Sequence, residues 1–170
     1  LANQYPGDVG LFSPLLLNVV TLEPGQAMFL NAQTPHAYIH GTGLEIMANS
    51  DNVLRAGLTP KYMDVPELLA CTRCVAKPDD QILLSPRMEG TVQHFDVPVP
   101  DFTFSVYGAG EHALTTGNAE ILFAIDGPIT LIGQDGERLT LTIGQSAFVP
   151  ASTGDYRVTA EGRFARASNR

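Results

Sequence analysis

Leu141–Ala151 reads LTIGQSAFVPA, and Leu22–Ala32 reads LEPGQAMFLNA. Each passes from strand-like residues through a tight glycine turn, Gly144-Gln145 or Gly25-Gln26, into a second strand and then small residues. The same pattern extends on both sides of the later copy. Gln93–Val97, Phe102–Tyr107, Ala119–Ile125, Ile129–Ile132, Arg138–Leu141, Ser146–Val149, Tyr156–Thr159 and Phe164–Arg166 read as short strands. Pro98-Val99-Pro100, Asp126-Gly127, Gln134-Asp135-Gly136, Gly144 and Ser152-Thr153-Gly154 supply the turns between them. Proline presets φ there and glycine permits positive φ. Eight short antiparallel strands in a double sheet are the count for a jelly roll. The expected fold class is therefore all-β.

Around the earlier copy the same reading gives a partial jelly roll. Leu15–Leu22 is a compact apolar run, Ala27–Leu30 returns from the turn, and Ala37–His40 and Leu44–Ala48 flank Gly41-Thr42-Gly43. One helix is expected at Asp64-Val65-Pro66-Glu67-Leu68-Leu69, ending near Cys71. Asp64 is a natural N-cap, Glu67 completes a capping-box pair, and Pro66 is tolerated in the first turn. Ala76-Lys77-Pro78-Asp79-Asp80 reads as a linker. Two domains follow: residues 1–75, a portion of one jelly roll with the short helix, and residues 76–170, a complete one. The chain opens on Leu1 and enters a strand-like run almost at once, which reads as the middle of a domain and hence as a fragment. An incomplete first roll should leave Leu16, Val20 and Phe29 open, and contiguous apolar exposure marks an interaction surface.

Composition narrows the function classes. The chain has 170 residues, 44 % hydrophobic and 16 % charged, with a formal net charge of −8. These are the proportions of a folded globular protein rather than a disordered one. Nucleic acid is not an expected partner, because no basic face accompanies the acidic balance. No membrane partner is expected either, since Leu15–Val20 is too short to span a bilayer. Cys71 and Cys74 have C-x-x-C spacing, but one such pair cannot complete a tetrahedral zinc site or a disulfide scaffold. A cytoplasmic location is the expectation.

The candidate chemical residues crowd into Ala32–Lys61. The two glycine-turn copies diverge just after their shared stretch. The first continues to Pro35-His36-Ala37-Tyr38, the second to Ser152-Thr153-Gly154-Asp155-Tyr156 without a histidine. A turn, a strand and then Pro-His resembles the second half-motif of a cupin, in which the histidine is a metal ligand. Tyr38 would share a strand face with His36. Glu45 interrupts an apolar strand, where a carboxylate either faces water or enters a pocket that offsets its desolvation. Asp51 and Arg55 stand four apart, so an ion pair on one helical turn is the plain alternative to a site. Ala56-Gly57 would let a substrate approach Arg55, and Lys61 could meet a phosphate. His94 and His112 show no partner spacing, and Asp126-Gly127 and Asp135-Gly136 read as hairpin turns.

Thr34-Pro35-His36-Ala37-Tyr38, Leu44–Ala48, Ser50–Lys61 and Asp64–Leu69, with Tyr5–Leu15 before them, closely resemble type I mannose-6-phosphate isomerase. The resemblance implies a zinc-dependent cupin enzyme interconverting mannose 6-phosphate and fructose 6-phosphate through an enediol(ate). It implies His36 as metal ligand, Arg55, Glu45 and Tyr38 as catalytic residues, and Asp51 and Lys61 as substrate-binding residues. It also implies that the other family ligands lie in an N-terminal segment that is not here, so the fragment alone is expected to be inactive. The partners implied are a phosphosugar and either that missing segment or a dimer mate. A non-catalytic cupin-like module binding a sugar or a partner is the competing reading. A metal-cupin oxygenase or epimerase is weaker, because it needs a histidine cluster and only His36 and His40 are close.

Overall fold

A computed structural model describes residues 1–50 and 52–170. The chain divides into two compact units, residues 1–83 and 84–170.

Regular structure is sparse in the first unit. Asp8 caps a short 3-10 turn at Val9–Phe12 by accepting a hydrogen bond from Gly10 N. A four-residue helix, α1 (Ser13–Leu16), a two-residue strand, β1 (Ala27–Met28), and a seven-residue helix, α2 (Val65–Cys71), are its regular elements. The α2 terminus forms as its sequence dictates: the Asp64 carboxylate accepts from Glu67 N at 3.1 Å and Pro66 sits in the first turn. The expected strands at Leu15–Leu22, Ala37–His40 and Leu44–Ala48 do not form. A strand exists by pairing, and these segments have no neighbouring strand to complete their backbone bonds. Leu15 and Leu16 instead close the end of α1, 80 % and 84 % exposed. Among the described residues of this unit only Gly10 and Ile82 are buried. Val20 and Phe29 are half-buried. The first roll is thus partial, and its apolar residues are poorly covered.

The second unit is a complete antiparallel double sheet. The strand β2 (Leu83–Leu84) falls on the division. The others are β3 (Arg87–Glu89), β4 (Val92–Phe95), β5 (Thr103–Tyr107), β6 (Gly110–Thr115), β7 (Glu120–Ala124), β8 (Ile129–Ile132), β9 (Arg138–Leu141), β10 (Ser146–Val149), β11 (Asp155–Ala160) and β12 (Phe164–Ser168). One sheet has the order β10-β7-β12-β5-β4-β3 and the other β6-β11-β8-β9. All eight expected strands are present. The sequence reading missed Leu83–Leu84, which is only two residues long, and Arg87–Glu89 and Gly110–Thr115, whose charged residues hide the period-2 pattern.

Alternation along β7 and β11 turns Leu122, Ala124, Tyr156, Val158 and Ala160 inward, where they pack with Ile129, Leu131 and Phe164. Phe164 is fully buried and stacks on Tyr107 with ring centroids 4.7 Å apart. A charged group sits beside this core. Glu120, 2 % exposed, accepts from Tyr156 Oη and from Arg166 Nε (2.8 Å), and Arg166 also donates to the Thr115 carbonyl at 2.9 Å. These bonds link strands of both sheets. Burial and the Glu120 carboxylate push the Tyr156 phenol far up from its ordinary value. At the end of the sandwich two turns meet at Gly127 and Gly162, where a Cβ on Gly127 would stand 2.5 Å from Gly162 N. Asp126 clamps the same turns, accepting from Arg163 N (2.5 Å) and Nε (2.7 Å).

Candidate functional site

Pro35 fixes the backbone ahead of His36, and the His36 ring turns back on its own loop. His36 Nδ1 lies 3.0 Å from the Thr34 carbonyl. A carbonyl only accepts, so Nδ1 carries the proton and Nε2 is left as a free lone pair. This is the usual arrangement of a metal-ligating histidine, whose second ring nitrogen is tied to a carbonyl. The residue therefore fits a role as one metal ligand. Among the described residues no three His, Cys, Asp or Glu side chains converge on a common point, so His36 stands as a single ligand. Catalytic zinc usually takes about three.

Tyr38 meets both neighbours on this surface. Its ring is edge-on to His36, with centroids 5.9 Å apart, and its hydroxyl donates to Glu45 Oε1 at 2.7 Å. Desolvation of the hydroxyl, then the hydrogen bond to Glu45 and the charge of that carboxylate, push the phenol up to about 12. His36, Tyr38 and Glu45 form one exposed cluster across the Gly41-Thr42-Gly43 turn. Glu45 faces this cluster rather than an apolar core.

Arg55 and Lys61 are also exposed. Among the described residues no hydrogen bond or ion pair joins them to the His36 cluster. Asp51 lies outside the described residues, as does its pairing with Arg55; residues 52–56 are irregular rather than helical. The loop after Arg55 is held by a residue that sequence reasoning did not single out. Asp8 accepts from Gly10 N at 2.7 Å and from Leu58 N at 3.0 Å. Gly57 takes φ +128, and a Cβ there would lie 3.1 Å from Asp8 Oδ1. The small residue at Gly57 thus allows the close approach of Asp8. The signal was available in Gly7-Asp8-Val9-Gly10, a capping aspartate between glycines.

Cys71 and Cys74 are free thiols, and Cys71 donates to Glu67 Oε1 at 3.1 Å within α2. His112 is half-buried against the core: Nε2 donates to the Gly108 carbonyl at 2.9 Å and its ring meets Tyr107 and Phe164 edge-on. A hollow of about 430 Å³ on the four-stranded sheet, edged by Gln134, Asp135, Glu137 and Arg138, contains none of the candidates. Among the described residues no helix is long and apolar enough to cross a membrane.

Two antiparallel sheets around one apolar core define residues 84–170 as a cupin-type jelly roll. The family model described as the cupin domain of mannose-6-phosphate isomerase matches residues 91–169. Mannose-6-phosphate isomerase of Escherichia coli K12 is 51 % identical over 172 residues, covering all of this chain and 44 % of that protein. The Homo sapiens protein of the same name is 44 % identical over 139 residues, 76 % of this chain and 32 % of its own length. A solved structure of mannose 6-phosphate isomerase from Salmonella typhimurium, bound to substrate (F6P) and zinc, is 48 % identical. It superimposes with a TM-score of 0.87 over 99 % of this chain and 44 % of that one. The chain is thus similar to mannose-6-phosphate isomerases, in the bacterial relative along its whole length, and it spans less than half the length of these relatives.

Proposed function

We propose that this chain is the C-terminal part of a zinc-dependent aldose–ketose isomerase that interconverts mannose 6-phosphate and fructose 6-phosphate. The observation that carries the reading is identity of 51 % across the whole chain with an enzyme of that name. The tautomer of His36 and the Tyr38–Glu45 contact support it from the chemistry. Residues 1–75 then belong to the catalytic cupin domain and residues 76–170 form a non-catalytic one.

The reaction moves a proton between C1 and C2 of the sugar and passes through an enediolate. His36 Nε2 would be one ligand of the zinc, which when bound supplies Lewis-acid polarisation of the sugar oxygens. Glu45, held in place by the Tyr38 hydroxyl, is the carboxylate that takes and returns the proton or orients the sugar hydroxyl. Arg55 balances the negative charge that develops on the enediolate oxygen. Asp51 and Lys61 hold the substrate, with Lys61 set toward the phosphate as a flexible point charge. Asp8 is a positioning residue: its two backbone hydrogen bonds keep the Gly57–Leu58 turn, and with it the Arg55–Lys61 loop, in one shape.

The remaining ligands and the cover for the exposed apolar side chains of residues 1–83 come from the segment of the parent that this chain does not span, or from a dimer mate. The 170-residue chain alone therefore binds no stoichiometric zinc and turns over no sugar. Alone it is at most a sugar- or partner-binding module, a reading favoured by His36 standing as a single ligand among the described residues. A cytoplasmic location belongs to the same reading, supported by two free cysteines. The test is a coupled isomerase assay on the full-length parent. Arg55→Ala should lower kcat/KM by about 10²–10³-fold, and His36→Ala and chelation should abolish turnover. Full activity after either substitution removes that residue from the site.

A further inference from the structure

The geometry points to Ser105 as a nucleophile activated by His94 and Glu89, able to form a covalent acyl adduct with small activated carboxylic esters. Arg87, His94 and Ser105 are successive register partners across β3, β4 and β5, and the row continues to Arg166 and then Leu122. Leu122 is fully buried in the core, so the row lies on the inner face of the six-stranded sheet. At its β3–β4 end the face is partly open to solvent, with the His94 side chain 24 % exposed. None of these residues belongs to the Ala32–Lys61 cluster, so the inference stands apart from the isomerase reading.

Three contacts make the arrangement. Ser105 Oγ lies 2.9 Å from His94 Nδ1. Glu89 Oε2 lies 3.3 Å from His94 Nε2 on the far side of the ring. Arg87 Nη1 lies 3.7 Å from the same carboxylate oxygen. A carboxylate beside Nε2 favours the tautomer with its proton there, which leaves the Nδ1 lone pair facing the serine hydroxyl. A nucleophile within hydrogen-bond reach of a base, with the base oriented by a third group, is the signature of an activated hydroxyl. Such constellations are recognised by geometry and roles rather than by chain order or fold. Here the order is Glu89, His94, Ser105, and Nδ1 rather than Nε2 faces the hydroxyl.

The step balances without a further reactant. Ser105 Oγ adds to the ester carbonyl as its proton passes to His94 Nδ1. The bond to the leaving phenol or alcohol then breaks, and that oxygen takes the proton from His94. Water attacks acyl-Ser105 with His94 again accepting a proton, which releases the carboxylic acid and restores the hydroxyl.

The experiment treats the chain with p-nitrophenyl acetate, follows p-nitrophenolate release, and locates adducts by peptide mass spectrometry. One acetyl group is expected, on Ser105. Ser105→Ala should remove the adduct, His94→Gln should slow labelling by about 10²-fold or more, and Glu89→Gln should slow it less. Circular dichroism of each variant confirms that the sheet is retained. Absence of acetyl-Ser105 in the unmodified chain, or equal labelling in folded His94→Gln, overturns the proposal.

Discussion

Tyr38 and Glu45 offer a direct reading of the candidate site, because the pair reports itself through titration. A phenol raised to about 12 means that the fold favours the neutral form. Below the ordinary phenol value of 10.0 both folded and unfolded chains hold the proton, so this preference costs nothing there. Between that value and about 12 the unfolded chain ionises first, and stability falls as pH rises through the window. Carbon-13 NMR of the tyrosine ring should show Tyr38 titrating at the upper end, and Glu45→Gln should bring it down. An unchanged titration in Glu45→Gln would break the contact on which the site geometry depends. Glu120 makes the corresponding test in the jelly roll. It is nearly fully buried against the Arg166 guanidinium, whose side chain is 20 % exposed. Glu120→Ala leaves that cation and the Tyr156 hydroxyl without their partner. A loss of about 3–5 kcal/mol is expected in denaturant unfolding, and a loss below about 1 kcal/mol would show the pair to be weakly coupled.

The elements show where sequence pattern suffices and where it does not. From Gln93 onward every strand except Gly110–Thr115 is legible, because each alternates or repeats apolar residues between Gly, Pro or Asp turns and finds a partner in the same unit. Helix α2 was equally legible from Asp64, Pro66 and Glu67, since capping is a local matter. Leu15–Leu22 has the composition of a strand but no neighbour to pair with, and pairing is not written in composition. The Pro-His-Ala-Tyr and Leu-Glu-Ile runs draw attention to His36, Tyr38 and Glu45 by residue type, but the reach of the Tyr38 hydroxyl to Glu45 depends on the turn between them and is written in neither run. Asp8 was not legible, because it acts on Leu58 from fifty residues away. Asp126-Gly127 was read as a turn, yet Asp126 also clamps Arg163 and is thereby held below the usual carboxylate range. The two turns meet so closely that Gly127→Ala must push backbone against backbone. It should cost about 1–3 kcal/mol, measured as a lowered unfolding midpoint, and a neutral Gly127→Ala would mean the turns can part without loss.

At the scale of the whole molecule the two units differ in kind. Residues 84–170 enclose a core of their own, from Tyr107 and Phe164 to Leu131 and Val158. Residues 1–83 carry the catalytic candidates but bury almost nothing among their described residues. That contrast, together with a span of 44 % of the relatives, supports a site completed by further polypeptide. The decisive measurement compares isomerase turnover and zinc content of the 170-residue chain with those of the same chain joined to the segment of the Escherichia coli relative that it does not span. The joined protein should bind zinc and convert mannose 6-phosphate to fructose 6-phosphate, losing both on His36→Ala, while the chain alone should do neither. Turnover by the chain alone, or a folded joined protein whose activity survives His36→Ala, would contradict the assignment.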